Sequence, residues 1–360
     1  MNTRIPRHML LALLAAATLA ACGGGGGHDG PATSQEINGG YAQVVAFGDS
    51  LSDAGSYNPT TADTDPSNDV PVGLIFSTKP GGTWTTYAAQ ALGLTLTAKQ
   101  QVNFGVVGQA GKIVQAGGLD YAEGGAMLLV DAANGGVTNQ TIPGVGTVPV
   151  QGATARAVST QITDYLAGHG GFQDSQLVLI QGGANDFFAF LRQVAANPSL
   201  GANAPTTISA TTTAMVTQIQ RLRAAGARNI IYANLPDLGA TPQFRGTALA
   251  GLATTVSTQY NTAVANALAG TGVRVFDTQA LIGKVIAAPA SYGFVNVTTP
   301  ACTSYTTPGD PSTLTALTCT ASTLVASGAD QSYLFADGVH PTAKAHLIWG
   351  NLVAELARAK

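Results

Sequence analysis

The chain has 360 residues, of which 45% are hydrophobic and only 10% charged, with 44 glycines and a net charge of −3. That composition is globular and excludes a disordered chain. The near-neutral balance excludes both a basic nucleic-acid footprint and a polybasic patch for anionic lipid.

Residues 1–22 read as an export signal. Arg4, Arg7 and His8 make a basic start, and residues 9–21 are an apolar run too short to span a bilayer comfortably. The run ends Leu19-Ala20-Ala21-Cys22, which resembles the lipobox of bacterial lipoproteins. The resemblance implies cleavage before Cys22 and a lipid on that cysteine. Because the next residue is not Asp, it also implies the outer membrane. The alternative is an ordinary signal peptide with an incidental cysteine. Residues 23–40, which include five consecutive glycines from Gly23, read as a flexible tether. Residues 41–360 are expected to form one domain, because nothing inside them reads as a linker.

An apolar run at 44–47 without alternation predicts a strand buried on both faces, ending at Gly48-Asp49-Ser50-Leu51. A helix is predicted over 84–92, capped by Thr83 and ended by Gly93. Residues 102–150 are Gly-rich and are expected to form loops around a site, with a short strand near 102–104. Helices follow at 155–166, 206–225 and 247–268, alternating with strands at 177–180, 229–233 and 273–276. A last helix is predicted from Pro341, with Ala345, Ile348, Leu352 and Leu356 at helical spacing. Alternating strands and helices predict a mostly parallel sheet covered on both faces, with the active site at the C-terminal strand ends. In an exported chain, Cys302 and Cys319 are expected to form a disulfide that pins a loop, worth roughly 3 kcal/mol.

A hydroxyl at a strand end is a weak nucleophile alone, so Ser50 needs a base. Of five histidines, His8 falls in the signal, His28 in the tether, His169 in a Gly-rich surface turn and His346 inside the last helix. His340 stands in Asp337-Gly338-Val339-His340-Pro341, where Asp337 can fold back to orient the ring and leave its other nitrogen for Ser50. The bland reading of this spacing is a capped helix start. The Gly-rich segment from Gly105 to Ile113 has the wrong spacing for a phosphate loop, and no cluster has zinc-ligand spacing.

Taken together, four blocks carry a resemblance: residues 45–55 around Gly48-Asp49-Ser50-Leu51, residues 120–126, Gly182-Gly183-Ala184-Asn185-Asp186, and Asp337 to Thr342. In content and order they resemble the GDSL, or SGNH, hydrolases. Leu235 to Pro242 and the Cys302/Cys319 pair are similar to the bacterial outer-membrane esterase and phospholipase/haemolysin-like branch. The resemblance implies a flavodoxin-like three-layer α/β sandwich and a serine esterase or lipase without cofactor or metal. It assigns Ser50 as nucleophile, His340 as base and Asp337 as its orienting acid. The Ser50 N–H, the Gly125 N–H and the Asn185 amide are then the oxyanion donors. The second block departs from the family pattern, with Asp120 in place of the usual Asn, and whether Gly125 or Gly124 donates stays open. Asp49, Asp53 and Asp186 read as local hydrogen-bond acceptors. The expected partner is a small-molecule or lipid ester with short to medium acyl chains, the expected state a monomer. The rivals are a phospholipase or acyltransferase with the same triad, and a non-catalytic binding lipoprotein.

Overall fold

A computed structural model of the chain describes residues 39–58, 74–105, 108–142, 144–303 and 315–359; the signal, Cys22 and most of the tether lie outside them. In chain order it contains β1 (Gln43–Phe47), α1 (Trp84–Ala91), a hairpin of β2 (Gln100–Val102) and β3 (Ile113–Gln115), and a second hairpin of β4 (Val137–Ile142) and β5 (Gly146–Gln151). Next come α2 (Val158–His169), β6 (Gln176–Ile180), α3 (Ala184–Ala196), α4 (Ala204–Ala224), β7 (Asn229–Ala233), α5 (Ala250–Leu268) and β8 (Arg274–Phe276). The remainder is α6 (Thr278–Ala287), β9 (Asn296–Pro300), the single turn α7 (Ala329–Ser332), β10 (Tyr333–Phe335) and α8 (Ala343–Arg358).

Strands β1, β6, β7 and β8 pair in that order, all parallel, with Val45 beside Val178 and Val178 beside Ile230. Beyond β1 the backbone at 119–121 continues the sheet: Ala46 N–H donates to Leu119 O (3.0 Å) and Tyr121 N–H to Ala46 O (2.9 Å). The lack of alternation has its reason in two cores. Val45, Phe47, Val178, Ile180, Ile230 and Tyr232 pack under α2, α3, α4 and α5. Val44, Ala46, Leu177, Leu179, Ile231 and Ala233 pack under α1, α6 and α8. Each Val, Leu, Ile or Phe among them contributes about 1.5–3 kcal/mol of burial, and a polar residue at any of these positions would find no water on either face of the sheet. The expected α/β sandwich is the observed one.

Several local expectations are corrected. The last helix starts at Ala343, two residues after Pro341, with the Thr342 hydroxyl accepting from Ala345 N–H at its N-cap. Its core face is Ala345, His346, Trp349, Gly350, Val353 and Ala357, one step round from the expected stripe, whose Ile348, Leu352 and Leu356 are only half-buried. At Gly350 a Cβ would meet Tyr87 Cβ at 2.6 Å and Trp84 O at 2.7 Å, which lets α8 approach α1 closely and stacks Trp349 on Trp84 at 5.0 Å. Thr83 takes the N-cap position of α1 without capping it. Its hydroxyl faces Ser52 O and Thr85, while His346 Nδ1 accepts the Trp84 N–H at 3.1 Å. Burial pushes His346 down to about 3, so the ring is neutral and serves as a cap supplied from another helix. The stretch 102–150 holds the β4–β5 hairpin rather than loops alone.

Candidate active site

The strand ends converge. Ser50 follows β1, Asn185 follows β6 in the first turn of α3, and Pro236 and Leu238 follow β7. Gly48 is what turns the chain at the end of β1: a Cβ there would lie 2.9 Å from both Gln181 O and Ser52 Oγ. Gln161 of α2 closes the turn from the side, accepting the Gly48 N–H (2.9 Å) through Oε1 and donating to Gly48 O (2.8 Å) through Nε2. It sits among the apolar positions Val158, Ile162 and Tyr165 of α2, and that misplaced polarity was the sequence signal for its role.

His340 Nε2 lies 2.8 Å from Ser50 Oγ, and His340 Nδ1 lies 2.7 Å from Asp337 Oδ2. With Nδ1–H donating its hydrogen bond to the carboxylate, Nε2 holds a lone pair toward the hydroxyl. Phe76 packs against the ring at 5.0 Å between centroids. Asp337 is buried, which pushes its carboxyl up, but the His340 charge and the hydrogen bonds from His340 and Val339 more than offset this. Its carboxyl therefore sits below the ordinary range and stays ionised, with Oδ1 accepting from the N–H groups of Val339 (2.8 Å) and His340 (2.7 Å). The other histidines are elsewhere: His169 stacks on Tyr165 at the surface, and His346 is the cap of α1.

The segment that carries Gly124 and Gly125 is tied to the Ser50 turn, with Glu123 N–H donating to Gly48 O at 3.2 Å. Asn185 spends one amide hydrogen on Ala126 O (3.0 Å), leaving the second. Between the two glycines the geometry discriminates: Gly124 N–H is committed to Asp53 Oδ2 (3.0 Å), whereas Gly125 N–H and Ser50 N–H have no acceptor among the described residues. Gly125 is exposed, with φ +80°, and Gly124 is buried against Phe76 and Tyr57. Asp53 also accepts from Gly55 N–H, Ser56 N–H and the Ser56 hydroxyl, and Asp186 accepts from Leu128 N–H (3.1 Å). Asp120 is fully buried, and burial followed by the nearby Asp53 charge drives its carboxyl well above the usual range.

The crevice at Ser50 is shallow, with a volume of about 20 Å³, room for little more than one water. Its apolar wall is Phe188, Pro236, Leu238 and Val339, with Phe188 braced by stacking on Phe244 at 5.8 Å. The loops at 102–150, expected to surround the site, contribute no described residue to the lining of the crevice; the turn at 123–126 meets it only through the Asn185 bond to Ala126 O. Sequence reading missed Phe76 and Phe188, since isolated aromatics in loop and helix carry no pattern that separates site from core.

Asp49 bears on stability. Burial pushes its carboxyl up to about 6 from 3.8, partly countered by the Leu51 N–H and by His340, and its Oδ2 has no partner. A raised folded value means the proton is held more tightly in the folded state. Stability is therefore lost as pH climbs from about 4 to about 6, by roughly 3 kcal/mol in full. Asp49→Asn keeps the acceptor for Leu51 N–H and has no proton to lose. Thermal melts should show it more stable than the wild type at pH 7.5, with the gap closing at pH 4. A gap independent of pH would rule this out.

The model of the family described as GDSL-like Lipase/Acylhydrolase matches residues 44–353. A GDSL esterase/lipase of Arabidopsis thaliana is 27% identical over 335 residues, covering 88% of each chain. Among solved structures, a carbohydrate acetylesterase of Sinorhizobium meliloti is 15% identical with a TM-score of 0.40, and a phospholipase A1 of Streptomyces albidoflavus is 14% identical with a TM-score of 0.42. Each covers 88% of this chain and is itself covered over 98% of its length. These structural likenesses are too distant to carry information about substrate.

Proposed function

We propose that this chain, which belongs to the GDSL-like lipase/acylhydrolase family, hydrolyses carboxylic esters through an acyl-enzyme on Ser50. The observation that carries the reading is the unbroken hydrogen-bonded run from Ser50 Oγ to His340 to Asp337, at 2.8 and 2.7 Å. Ser50 Oγ attacks the ester carbonyl while its proton passes to His340 Nε2, and Asp337 stabilises the imidazolium that forms. The oxyanion accepts from Ser50 N–H, Gly125 N–H and the free Asn185 amide hydrogen. His340 then protonates the departing alcohol. A water then attacks the acyl carbonyl while His340 Nε2 takes its proton, and His340 passes that proton to Ser50 Oγ as the bond to the acid breaks.

The shallow crevice supports short acyl chains lying along Phe188 and Leu238, with the alcohol portion toward solvent. The lipobox-like ending at Cys22 supports an exported protein anchored by lipid to the outer membrane, with residues 23–40 as tether. The test is a panel of p-nitrophenyl esters from acetate to palmitate together with a fluorophosphonate probe. The expected result is cleavage strongest for short chains and a single labelled peptide containing Ser50. A folded protein that neither turns over any ester nor takes up the probe would end the proposal.

A further inference from the structure

We infer that the disulfide-tied turn Thr315–Thr318 is a positioning element for the Asp337–His340 pair, acting through the backbone N–H of Ala316; the inference rests on the esterase reading above. The Asp337 carboxylate is held from two directions. Its own loop supplies the Val339 and His340 N–H groups, both to Oδ1. Oδ2, the oxygen that receives the His340 ring proton, is held separately by Ala316 N–H at 3.1 Å, from 21 residues away in sequence. A carboxylate gripped at one oxygen alone can swing the other out of line with the imidazole. With the second donor in place, the oxygen facing His340 is fixed in direction and part of its charge is already neutralised.

A four-residue turn does not hold such a donor in place by itself. Cys319, just after the turn, is bonded to Cys302 with a Cα–Cα distance of 5.7 Å. Cys302 N–H in turn donates to Ala336 O (3.1 Å), the residue before Asp337. Lys79 N–H donates to Cys319 O (3.0 Å), and its ammonium group reaches Leu317 O. The side chains of Cys302, Ala316, Cys319 and Ala336 form a small buried cluster of their own. Leu317 is buried in a second cluster with Phe76, the ring packed on His340. The bridge thus joins the donor at 316 to the backbone that carries the acceptor at 337, and the same turn supports the aromatic floor under the base.

The test compares Ala316→Pro, which lacks the N–H, with Ala316→Gly, which keeps it. The kcat of the Pro variant should fall about tenfold below that of the Gly variant, the worth of one hydrogen bond to a charged group. KM should stay within about twofold, and the acid limb of the kcat/KM profile, which reports the Asp337–His340 pair, should move. Because Pro in a buried turn can prevent folding, Cys302→Ser/Cys319→Ser is measured alongside, well below its melting temperature. It should show the same fall in kcat and the same displaced acid limb. Equal kcat and identical pH profiles for the Pro and Gly variants would overturn the role of Ala316. A folded serine double variant with wild-type kcat and profile would overturn the role of the bridge. A wild-type protein that cleaves no ester would instead remove the underlying esterase reading, so the two failures are distinguishable.

Discussion

Ser50→Ala should lower kcat/KM for a short-chain p-nitrophenyl ester by roughly 10⁵-fold or more, His340→Ala should do the same, and the double variant should be no worse than either. In the proposed mechanism Ser50 Oγ and His340 Nε2, 2.8 Å apart, act as one unit: the hydroxyl without its base is an alcohol in water, and the base without the hydroxyl has nothing to deprotonate. Asp337→Asn leaves the shape and exchanges a charge for an amide that presents a hydrogen to Nδ1, for a loss of about 10⁴-fold. Steady-state kinetics at protein concentrations fixed by absorbance checks all four variants. Losses that multiply in the double variant would mean the two side chains act independently, which contradicts the mechanism.

The second large effect concerns the developing charge. Asn185→Ala should reduce kcat by about 10²–10³-fold, or 2.7–4 kcal/mol, with little change in KM, because the donor is used in the transition state and hardly in the ground state. The amide also holds Ala126 O at 3.0 Å, so its removal has a structural consequence to be separated from the chemical one. Asn185 is only half-buried, and the melting temperature should move by no more than a few degrees. If the amide only braced the Ala126 carbonyl, the variant would melt early and keep kcat within tenfold of the wild type. The same reasoning explains why Gly125, and not its neighbour, is assigned: a donor already bound to Asp53 cannot strengthen toward an oxyanion without breaking that bond.

Which parts of this were legible from sequence follows from which physical signals were local. β1, β6 and β7 announce themselves because a strand covered on both faces must be apolar along its covered length, and the ends at Phe47, Ile180 and Ala233 carry polar or glycine residues next. The His340–Asp337 pair was readable from a three-residue spacing. α3 was not, because it begins one residue after Gly183, whose φ of +106° serves the turn, and has no capping side chain to mark its start. α6 did carry a signal that went unread, the Asp277 carboxylate accepting from Ala280 N–H, followed by Leu281, Ile282 and Val285 on one face. The β4–β5 hairpin is largely exposed on both faces, so no alternation marks it. The choice between Gly124 and Gly125 and the Ala316 donor depend on contacts across the fold, and one-dimensional spacing has no access to those.

The order of strands in the sheet has an entropic consequence. β1 is the first strand to be synthesised, yet its partner β6 lies some 133 residues later, and no earlier strand among the described residues lies beside it except the short segment at 119–121. Joining β1 to β6 closes a long loop, so that pairing costs more chain entropy than the pairing of β6 with β7. The ribosome delivers the Ser50 hydroxyl 290 residues before the imidazole that activates it. On the esterase reading, a chain clipped anywhere before Asp337 keeps the Ser50 hydroxyl and loses the base that would activate it, so the last few residues before α8 decide whether a folded protein has activity.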